Sequence, residues 1–404
     1  MRWCWMRWLP TDQPYTFRPP IPWDWIRPLG VWYSDRSWLR EKYKVRQVEG
    51  QGWERVVELC GRGDSVLLAP NHSDHSDPHV ILNVTQRHRL PLRFMAAREL
   101  FDGGGLQAAM LQRMGVFSVD RDGADIAAIK TAINILSAGG SPLVIFPEGE
   151  IYHHHGRLDP LMDGVASILL RAAGKLAAGR KAWLVPVAMS FRHDAEVEQT
   201  FEGRLAAMET RIGWKPRSWE DVDARILRLG AGILASKEVE LFGDTGQGAL
   251  IGRVRQMCDR LLAEVEERRG KDGKASTAPE RVRALRQRMR RSLLDEGNPP
   301  GEEERRSLQD DLYRVFTALQ AHSYPGDYLL EQPTLDRRAE TIMKLEEDLL
   351  GECGYPSWRD AKVVAGEPIG VSDFLQSGDL PGKGGAGQLT LLLEEALGAL
   401  IARS

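Results

Sequence analysis

Residues 65–80 read SVLLAPNHSDHSDPHV and place three features side by side. The apolar run at 66–70 has the length of a buried strand, and apolar residues at helical spacing follow the polar segment. Asp77-Pro78 predicts the start of that helix, because Pro suits the first turn and the residue before Pro avoids the α region, as an N-cap does. His72 is therefore predicted on a turn at the carboxyl end of a strand, the edge at which open α/β sheets bind their ligands.

The pair His72 and Asp77 is the first candidate site. Four residues separate the two side chains, so a turn can fold the carboxylate back onto the imidazole. A histidine oriented by an acid is the arrangement of a general base. The plainer interpretation is that Asp77 only caps the helix and that the spacing arose by chance. Motifs further along the chain decide between the two.

Length, charge and cysteine content limit the function classes. A chain of 404 residues holds two or more domains, or one large core with insertions. Its net charge of −3 gives no basic field that would indicate a nucleic-acid partner. The four scattered cysteines fit a reducing compartment and predict neither a disulfide framework nor a zinc site. No apolar run approaches the ~20 residues of a membrane span, so we expect a cytoplasmic protein, peripheral at the inner face of the membrane.

Residues 1–48 form a separate segment of unusual composition. They hold seven of the 12 tryptophans, interleaved with arginine, lysine and proline. Tryptophan favours the membrane–water boundary and basic side chains favour anionic headgroups, so the segment is predicted to contact a membrane lipid surface. The alternative is a proline-rich arm that packs its tryptophans onto the rest of the protein. The tryptophans are Trp3, Trp5, Trp8, Trp23, Trp25, Trp32 and Trp38.

Residues 49–194 have the texture of an alternating α/β domain. Apolar runs alternate with helical patterns, of which the clearest has Ile126, Ile129, Ile133 and Leu136 on one face. The pattern predicts an α/β fold with a mixed, mostly parallel central sheet flanked by helices. The candidate strands are 65–69, 93–96, 116–119, 143–146 and 183–189.

Three further landmarks lie at strand ends. Arg121 follows the third strand, where a guanidinium can bind a phosphate, or can form a surface salt bridge with a neighbouring aspartate. Glu148 and Glu150 follow the fourth strand around Gly149, either as site carboxylates or in an ordinary turn. Pro186 lies inside the fifth strand, which predicts a sheet edge or a bulge.

The order of these elements resembles the motif series of the glycerolipid acyltransferases, which include 1-acyl-glycerol-3-phosphate and glycerol-3-phosphate acyltransferases. The series reads NHSDHSD at 71–77, VFSVDR at 116–121, FPEG at 146–149 and VPV at 185–187. Four motifs in this order across about 120 residues are rarely a chance event. The resemblance implies a core of the glycerol-3-phosphate acyltransferase type.

The resemblance also implies an activity and the residues that perform it. His72, oriented by Asp77, would take the proton from a hydroxyl of a lysophospholipid, with 1-acyl-glycerol-3-phosphate as the favoured acceptor. The acyl donor would be acyl-CoA or acyl-carrier protein, with no metal or other cofactor. Amides at the helix start would assist an oxyanion or a phosphate. The implied substrate-binding residues are Asn71, Phe117, Arg121, Glu148, Gly149, Arg157 and Pro186.

One departure from the family pattern concerns the acceptor. The family commonly continues Phe-Pro-Glu-Gly with Thr-Arg, whose arginine is linked to the acceptor phosphate. Here Glu150 and Ile151 occupy those positions. Either Arg157 substitutes from further along the chain, or the acceptor is not 1-acyl-glycerol-3-phosphate.

The remaining chain divides into a helical insertion at 195–358 and a closing segment at 359–404. The insertion is charged and lacks strand runs, and the closing segment resembles the last strand of the family followed by a helix. A run of arginines at 281–291 is interpreted as a solvated helix face, or else as a contact for anionic lipid or acyl-carrier protein.

Two other functions stay open at this point. Histidines and aspartates around residue 72 and the triplet at 153–155 suggest a metal-dependent hydrolase, which a metal analysis of the purified protein would reveal. Adjacent residues of an extended chain point to opposite faces, which argues against the triplet as ligands. A non-catalytic lipid-binding protein of the same fold is the second alternative, although a binding protein does not require the pair His72 and Asp77.

Overall fold

A computed structural model describes residues 14–123, 125–273, 275, 277–295, 297–324, 327–371 and 385–403. Its contacts divide the chain into two compact units. The sheet unit comprises Tyr15–Arg121, Asp125–Asp194 and Ser357–Ser404, and the helical unit centres on Ala195–Pro356.

The sheet unit contains an open eight-stranded sheet with the order β1-β7-β6-β2-β5-β3-β4, and β8 pairs with β6. The pairings of β6 with β7 and β8 are antiparallel, and the others are parallel. The predicted α/β fold with a mixed, mostly parallel sheet is therefore confirmed. The strands are β1 (Val45–Gln51), β2 (Ser65–Pro70), β3 (Arg93–Ala97), β4 (Val116–Val119), β5 (Leu143–Val144), β6 (Ala182–His193), β7 (Arg359–Ala365) and β8 (Ile369–Gly370).

Helices connect the strands and make up the helical unit. A π-helical segment, Ser34–Lys42, continues the first helix. The helices are α1 (Arg27–Tyr33), α2 (Trp53–Gly61), α3 (Asp77–Arg87), α4 (Gly105–Arg113), α5 (Ile126–Ala138), α6 (Gly164–Ala173), α7 (Glu198–Arg211), α8 (Val222–Phe242), α9 (Leu250–Arg269), α10 (Ala278–Leu293), α11 (Glu302–His322), α12 (Tyr328–Glu331), α13 (Leu335–Leu350) and α14 (Gly385–Ile401).

The core of the sheet unit lies between the sheet and helices α5, α6 and α14. Every residue of β2 is buried, as expected for a central strand that is covered on both faces. In α5 the Asp125 carboxylate accepts the Ala128 N–H and so caps the helix. Ile126, which the sequence pattern placed on the buried face of α5, is 62% exposed, whereas Ala128 is fully buried. The buried face of α5 is thus rotated toward its alanines, Ala128 and Ala132.

Pro186 lies in a central strand, so the predicted sheet edge is wrong. In β6 it pairs with Ala69 of β2 on one side. Its carbonyl accepts the Gly366 N–H on the other side, between the segments where β7 and β8 pair with β6. The N–H and the carbonyl of one strand residue point to the same side of the strand. The side of Pro186 that lacks an N–H therefore faces the break between β7 and β8, and its pairing with β2 loses no hydrogen bond.

The N-terminal segment is attached to the sheet unit by its first described residues. Tyr15 Oη and Ser118 Oγ are 2.6 Å apart, and the ring of Phe17 packs edge-on against Phe117. These contacts cover edge strand β4 and so protect it from pairing with another chain. The segment also contributes β1, which the sequence analysis did not predict and which crosses the boundary proposed at residue 48.

The described tryptophans of this segment do not pack into the core. Trp25 is 77% exposed, Trp32 64% and Trp23 41%, and Trp38 is also exposed. Trp25 and Trp32 therefore do not follow the interpretation in which the arm packs its tryptophans onto the rest of the protein, whereas Trp38 stacks on His79 of α3 and Trp23 lies under Arg113 of α4. Trp3, Trp5 and Trp8 lie outside the described residues. Within the described ranges, no helix combines the length and the apolar character that a membrane crossing requires.

The helical unit follows the predicted texture, since its described residues form helices α7–α13. Helix α9 has the bounds expected from its apolar spacing, and α10 begins with a capping box of Thr277 and Glu280. The interpretation of the arginine run as a solvated face is wrong in part. Arg286 and Arg290 are buried, and Arg281 pairs with Glu266 at 2.8 Å.

Candidate active site

The turn between β2 and α3 brings His72 and Asp77 into contact. His72 Nδ1 lies 3.0 Å from Asp77 Oδ2. Asp77 is the first residue of α3 and its carboxylate does not cap that helix, so the N-cap interpretation is wrong. Its Oδ2 instead accepts the N–H groups of Ser73 and Asp74, at 2.8 and 2.9 Å. The turn therefore folds around this one carboxylate.

These bonds fix the tautomer of His72. Because Asp77 Oδ2 already accepts two N–H groups, His72 Nδ1 must donate to it, which leaves the lone pair on Nε2. The ring of Phe146 stacks on the imidazole with its centroid 3.9 Å away. Burial, followed by the nearby His75, lowers the pKa of His72 to about 3. The side chain keeps 15% of its surface exposed. His72 is thus a neutral, oriented imidazole that can accept a proton.

The surroundings of Asp77 disfavour the ionised form of its carboxyl group. It is fully buried, and within the described residues its Oδ1 has no hydrogen-bond partner. Burial and the neighbouring Asp74 carboxylate raise the pKa of Asp77 well above its ordinary value, against the opposing effect of the two amide donors.

Glu148 connects the FPEG motif to this turn. Its Oε1 accepts the His72 backbone N–H at 2.6 Å, and its Oε2 accepts the Asp159 N–H at 3.1 Å. Burial, followed by Asp159, raises the pKa of Glu148 well above its ordinary value. The next residue, Gly149, has a φ of 78°, and a Cβ there would come within 2.1 Å of Met162 Cε. Glu148 therefore holds the backbone of His72, and Gly149 allows the chain to turn directly after Glu148.

Arg121 reaches the same turn from the end of β4. It donates to the Gly149 carbonyl at 2.8 Å and pairs with Glu150 at 3.0 Å. Glu99 lies 3.9 Å from the guanidinium. The charge of Arg121 is thus shared with carboxylates that the sequence analysis had not assigned to it.

The other predicted substrate-binding residues occupy different settings. The Asn71 amide exchanges two hydrogen bonds with the backbone of Met189, so it ties the end of β2 to β6. Phe117 is fully buried in the core, and Pro186 lies within β6. The Arg157 carbonyl accepts a hydrogen bond from His154 Nδ1 at 3.2 Å. These contacts are structural.

The amides of the turn between β2 and α3 bind groups of the turn itself. Those of Ser73 and Asp74 bind the Asp77 carboxylate. The Ser76 amide binds the Asp74 carboxylate, and the Asp77 amide binds the Asp74 carbonyl. Three of these four N–H groups therefore stabilise the Asp77 and Asp74 carboxylates, and the fourth binds a backbone carbonyl of the turn.

The clustered histidines have separate partners. The rings of His75 and His153 meet edge to face, with centroids 5.4 Å apart. His154 Nε2 lies 3.0 Å from Asp159.

Three residues at the site were missed by sequence reasoning. Phe146 belongs to the FPEG motif, and its position beside His72 required the fold. Asp74 lies in the quoted turn but was grouped only with possible metal ligands. Arg359 contacts Asp74 from β7, 285 residues away in the chain, and no local pattern connects the two.

Comparison with known families agrees with this geometry. Residues 47–190 match the family model described as Acyltransferase. A comparison with curated proteins gives no match. The matched range includes the His72–Asp77 turn, its contact with Glu148, and Arg121 beside Gly149. Residues 47–190 therefore match a domain of the glycerolipid acyltransferase type, and this match supports a general acyltransferase activity.

Proposed function

We propose that the protein transfers a fatty acyl group from acyl-CoA or acyl-carrier protein to a hydroxyl of a lysophospholipid, with His72 as general base. The observation that carries the proposal is the 3.0 Å contact between His72 Nδ1 and an Asp77 carboxylate held by two amides. General-base catalysis needs an oriented base that is unprotonated at the working pH. The lowered pKa of His72 meets this need.

The reaction proceeds without a covalent enzyme intermediate. His72 Nε2 takes the proton of the acceptor hydroxyl as its oxygen attacks the thioester carbonyl carbon. The C–S bond then breaks, and the thiolate receives the proton from His72. The products are an ester and a free thiol. Asp77 stabilises the imidazolium that exists between the two proton transfers.

For the acceptor, we propose 1-acyl-glycerol-3-phosphate, with Arg121 contacting its phosphate. Arginine suits this role because its planar fork matches a phosphate. Glu150 now pairs with Arg121 at 3.0 Å, and both side chains are about 30% exposed. A phosphate would therefore have to displace Glu150, and this competition is expected to weaken acceptor binding.

The test is thiol release from palmitoyl-CoA by the purified protein, with and without 1-acyl-glycerol-3-phosphate. We expect acceptor-dependent release and an ester product, and a fall in rate of about 10²–10⁴-fold in His72→Ala. His88→Ala, at the opposite end of α3, is the matched control and should keep the wild-type rate. Equal rates in His72→Ala and wild type would reject His72 as the base. Release without an acceptor, giving free fatty acid, would indicate a hydrolase.

We also infer that the sheet unit binds the surface of an anionic membrane. Large apolar side chains are exposed on two adjacent segments, the N-terminal segment and helix α4. The Ile21 and Trp23 amides bind the carbonyls at the end of α4, and Arg113 lies over the Trp23 ring at 4.2 Å. The exposed apolar residues are Ile21, Trp23, Trp25, Leu29, Trp32, Tyr33, Leu106 and Met110.

Aromatic and basic side chains together favour the headgroup region of a bilayer. Arg36 and Arg40 are exposed next to these residues in the chain, and each pairs with a carboxylate of the same segment, Glu41 and Asp35. We expect the protein to float with phosphatidylglycerol vesicles and to lose most of that binding in the double variant Trp25→Ala/Trp32→Ala. Trp219→Ala, which changes an exposed tryptophan of the helical unit, is the control. Unchanged flotation of the double variant would contradict this surface.

A further inference from the structure

We propose that Arg359 is a positioning residue for the base, because it clamps Asp74 and Ser76 and so fixes the turn that holds Asp77 against His72. Arg359 lies on β7, outside the region that matches the acyltransferase family. The role assigned to it rests on the proposed function of His72, and the test below separates the two.

The guanidinium of Arg359 is held on every side. It is 2% exposed, and its two terminal nitrogens bind the Asp74 carboxylate at 3.0 and 2.8 Å. One of them also donates to Ser76 Oγ at 3.1 Å, and Nε donates to the Tyr43 carbonyl at 3.1 Å. The ring of Phe191 lies 4.3 Å from it. A bidentate contact of this kind sets both distance and orientation.

Asp74 transmits this constraint to the catalytic carboxylate. Its N–H donates to Asp77 Oδ2 at 2.9 Å, and its carbonyl accepts the Asp77 N–H at 3.1 Å. Its own carboxylate accepts both the N–H and the hydroxyl of Ser76, at 2.8 and 2.5 Å. A shift of Asp74 would therefore move Asp77 relative to His72.

Arg359 also offsets the charge that Asp74 places beside Asp77. Both carboxylates are buried, and like charges at close range disfavour each other. Burial raises the pKa of Asp74, but Arg359, together with Ser76 and His153, outweighs this and leaves it below its ordinary value. Arg359 also acts to lower the pKa of Asp77. Without this cation, two carboxylates would compete in one buried turn, and one of them would hold a proton to higher pH.

The clamp predicts opposite effects of two substitutions. Arg359→Met removes the cation, so the acidic limb of the pH profile of kcat/KM should move up by about one pH unit. Asp74→Asn removes the negative charge beside Asp77 but can keep the hydrogen bonds of the turn. The acidic limb of the kcat/KM profile should therefore move to lower pH. We expect kcat to fall about tenfold or more in Arg359→Met, with little change in KM. Arg359→Lys should restore the position of the limb but not the full kcat, since lysine lacks the fork.

The measurement is made in two ways. The kinetic pH profile uses palmitoyl-CoA and 1-acyl-glycerol-3-phosphate. The ionisation of Asp77 is also followed directly, by 13C NMR of aspartate-labelled protein with Asp77→Asn for assignment, and this needs no substrate. Arg204→Met is the matched control, because Arg204 makes a similar bidentate pair with Glu346 in the helical unit. It should lower stability and leave both the acidic limb and the Asp77 signal in place.

A purely structural role for Arg359 would lower the folded fraction and leave the acidic limb unchanged, and this result would overturn the proposal. If Arg359→Met does not fold, Asp74→Asn decides, since an unmoved Asp77 titration in that variant would also overturn it. The outcome for His72 is independent. A wild-type rate in His72→Ala rejects the proposed function. If His72→Ala loses the rate but the Asp77 titration does not move in Arg359→Met or Asp74→Asn, only the clamp is rejected.

Discussion

The helical unit and the sheet unit bury their charges in different ways. In the helical unit, Arg204 of α7 forms two bonds with Glu346 of α13, at 2.7 and 2.6 Å, so each charge has a partner. In the sheet unit, three buried carboxylates meet at one turn, where Arg359 pairs with Asp74. The other two, Asp77 and Glu148, rely mainly on backbone amides. A paired charge ties helices together, whereas an excess of buried acid is the mark of a chemical site.

The largest effect is expected from breaking the buried ion pair of the helical unit. Arg204→Met leaves Glu346 buried without the fork of Arg204, and the free energy of unfolding should fall by about 3 kcal/mol. The kcat of the folded enzyme should not change. Urea unfolding and steady-state kinetics on the same preparation measure both. A large loss of kcat at full stability would remove the distinction between the two units.

Asp77→Asn should give the reverse result. We expect kcat to fall about a hundredfold or more, because an amide does not stabilise the imidazolium of His72. The free energy of unfolding at pH 7 should change by less than about 1 kcal/mol. Relief from a buried charge offsets the burial of an unpaired amide group. A wild-type kcat in this variant would place Asp77 among structural residues such as Glu346.

Buried histidines provide a third comparison, through pH. Burial lowers the pKa of His79 to about 4 and that of His72 to about 3. An unfolded histidine titrates near 6.5, so the contribution of each to stability is complete above that pH and is lost as the pH falls toward 4. The slope is at most ~1.4 kcal/mol per pH unit for each histidine.

His79→Phe isolates one of these contributions. The ring of His79 stacks on Trp38 with centroids 5.6 Å apart, so a phenyl ring should be accommodated at the cost of the contact with Ser34. Between pH 6.5 and 4.5 the variant should lose less stability than the wild type. The contributions of Asp77 and Glu148, whose pKa values are raised, change in the opposite direction, but equally in both proteins. Identical slopes in chemical unfolding at several pH values would contradict the prediction.

The smallest effect concerns the pair of Arg121 and Glu150. Glu150→Gln removes the carboxylate that competes with an acceptor phosphate, so KM for 1-acyl-glycerol-3-phosphate should fall several-fold, less than ~1.4 kcal/mol. An acceptor without a phosphate should show no change. The measurement is KM for both acceptors in wild type and variant. An increase in KM for the phosphate acceptor would mean that Glu150 assists binding.

Local patterns predicted elements of both units. The strand at 116–119 and the helix at 250–269 have the expected bounds, because their apolar spacing is regular and turn residues flank them. Strand β1 was missed because only Val45 and Val48 are buried in it. Its partner β7 lies more than 300 residues away, so no short window of sequence shows the pairing.

The candidate site was predicted unevenly for a related reason. His72 and Asp77 lie within one turn, and the order of motifs placed Glu148 and Arg121 near them. The sequence did not reveal that Asn71 and Phe117 serve the backbone and the core, since an amide or an aromatic ring is equally compatible with binding a ligand. The partner of Arg121 depended on a side-chain contact, with Glu150, that only the folded chain defines.

The clamp between Asp74 and Arg359 has a consequence for the time at which the enzyme matures. The two residues are 285 positions apart, and at ribosomal rates of about 5–20 residues per second roughly 15–60 s separate their synthesis. During that interval the strand carrying the base has been made, but β7, which completes its sheet, has not. The nascent chain then exposes apolar strands that are buried in the folded protein, and exposed apolar surface and unpaired strand edges make such a chain prone to aggregation. On the proposed role of Arg359, we expect activity only after β7 has left the ribosome, and a product that stops before β7 should carry the motifs without the activity.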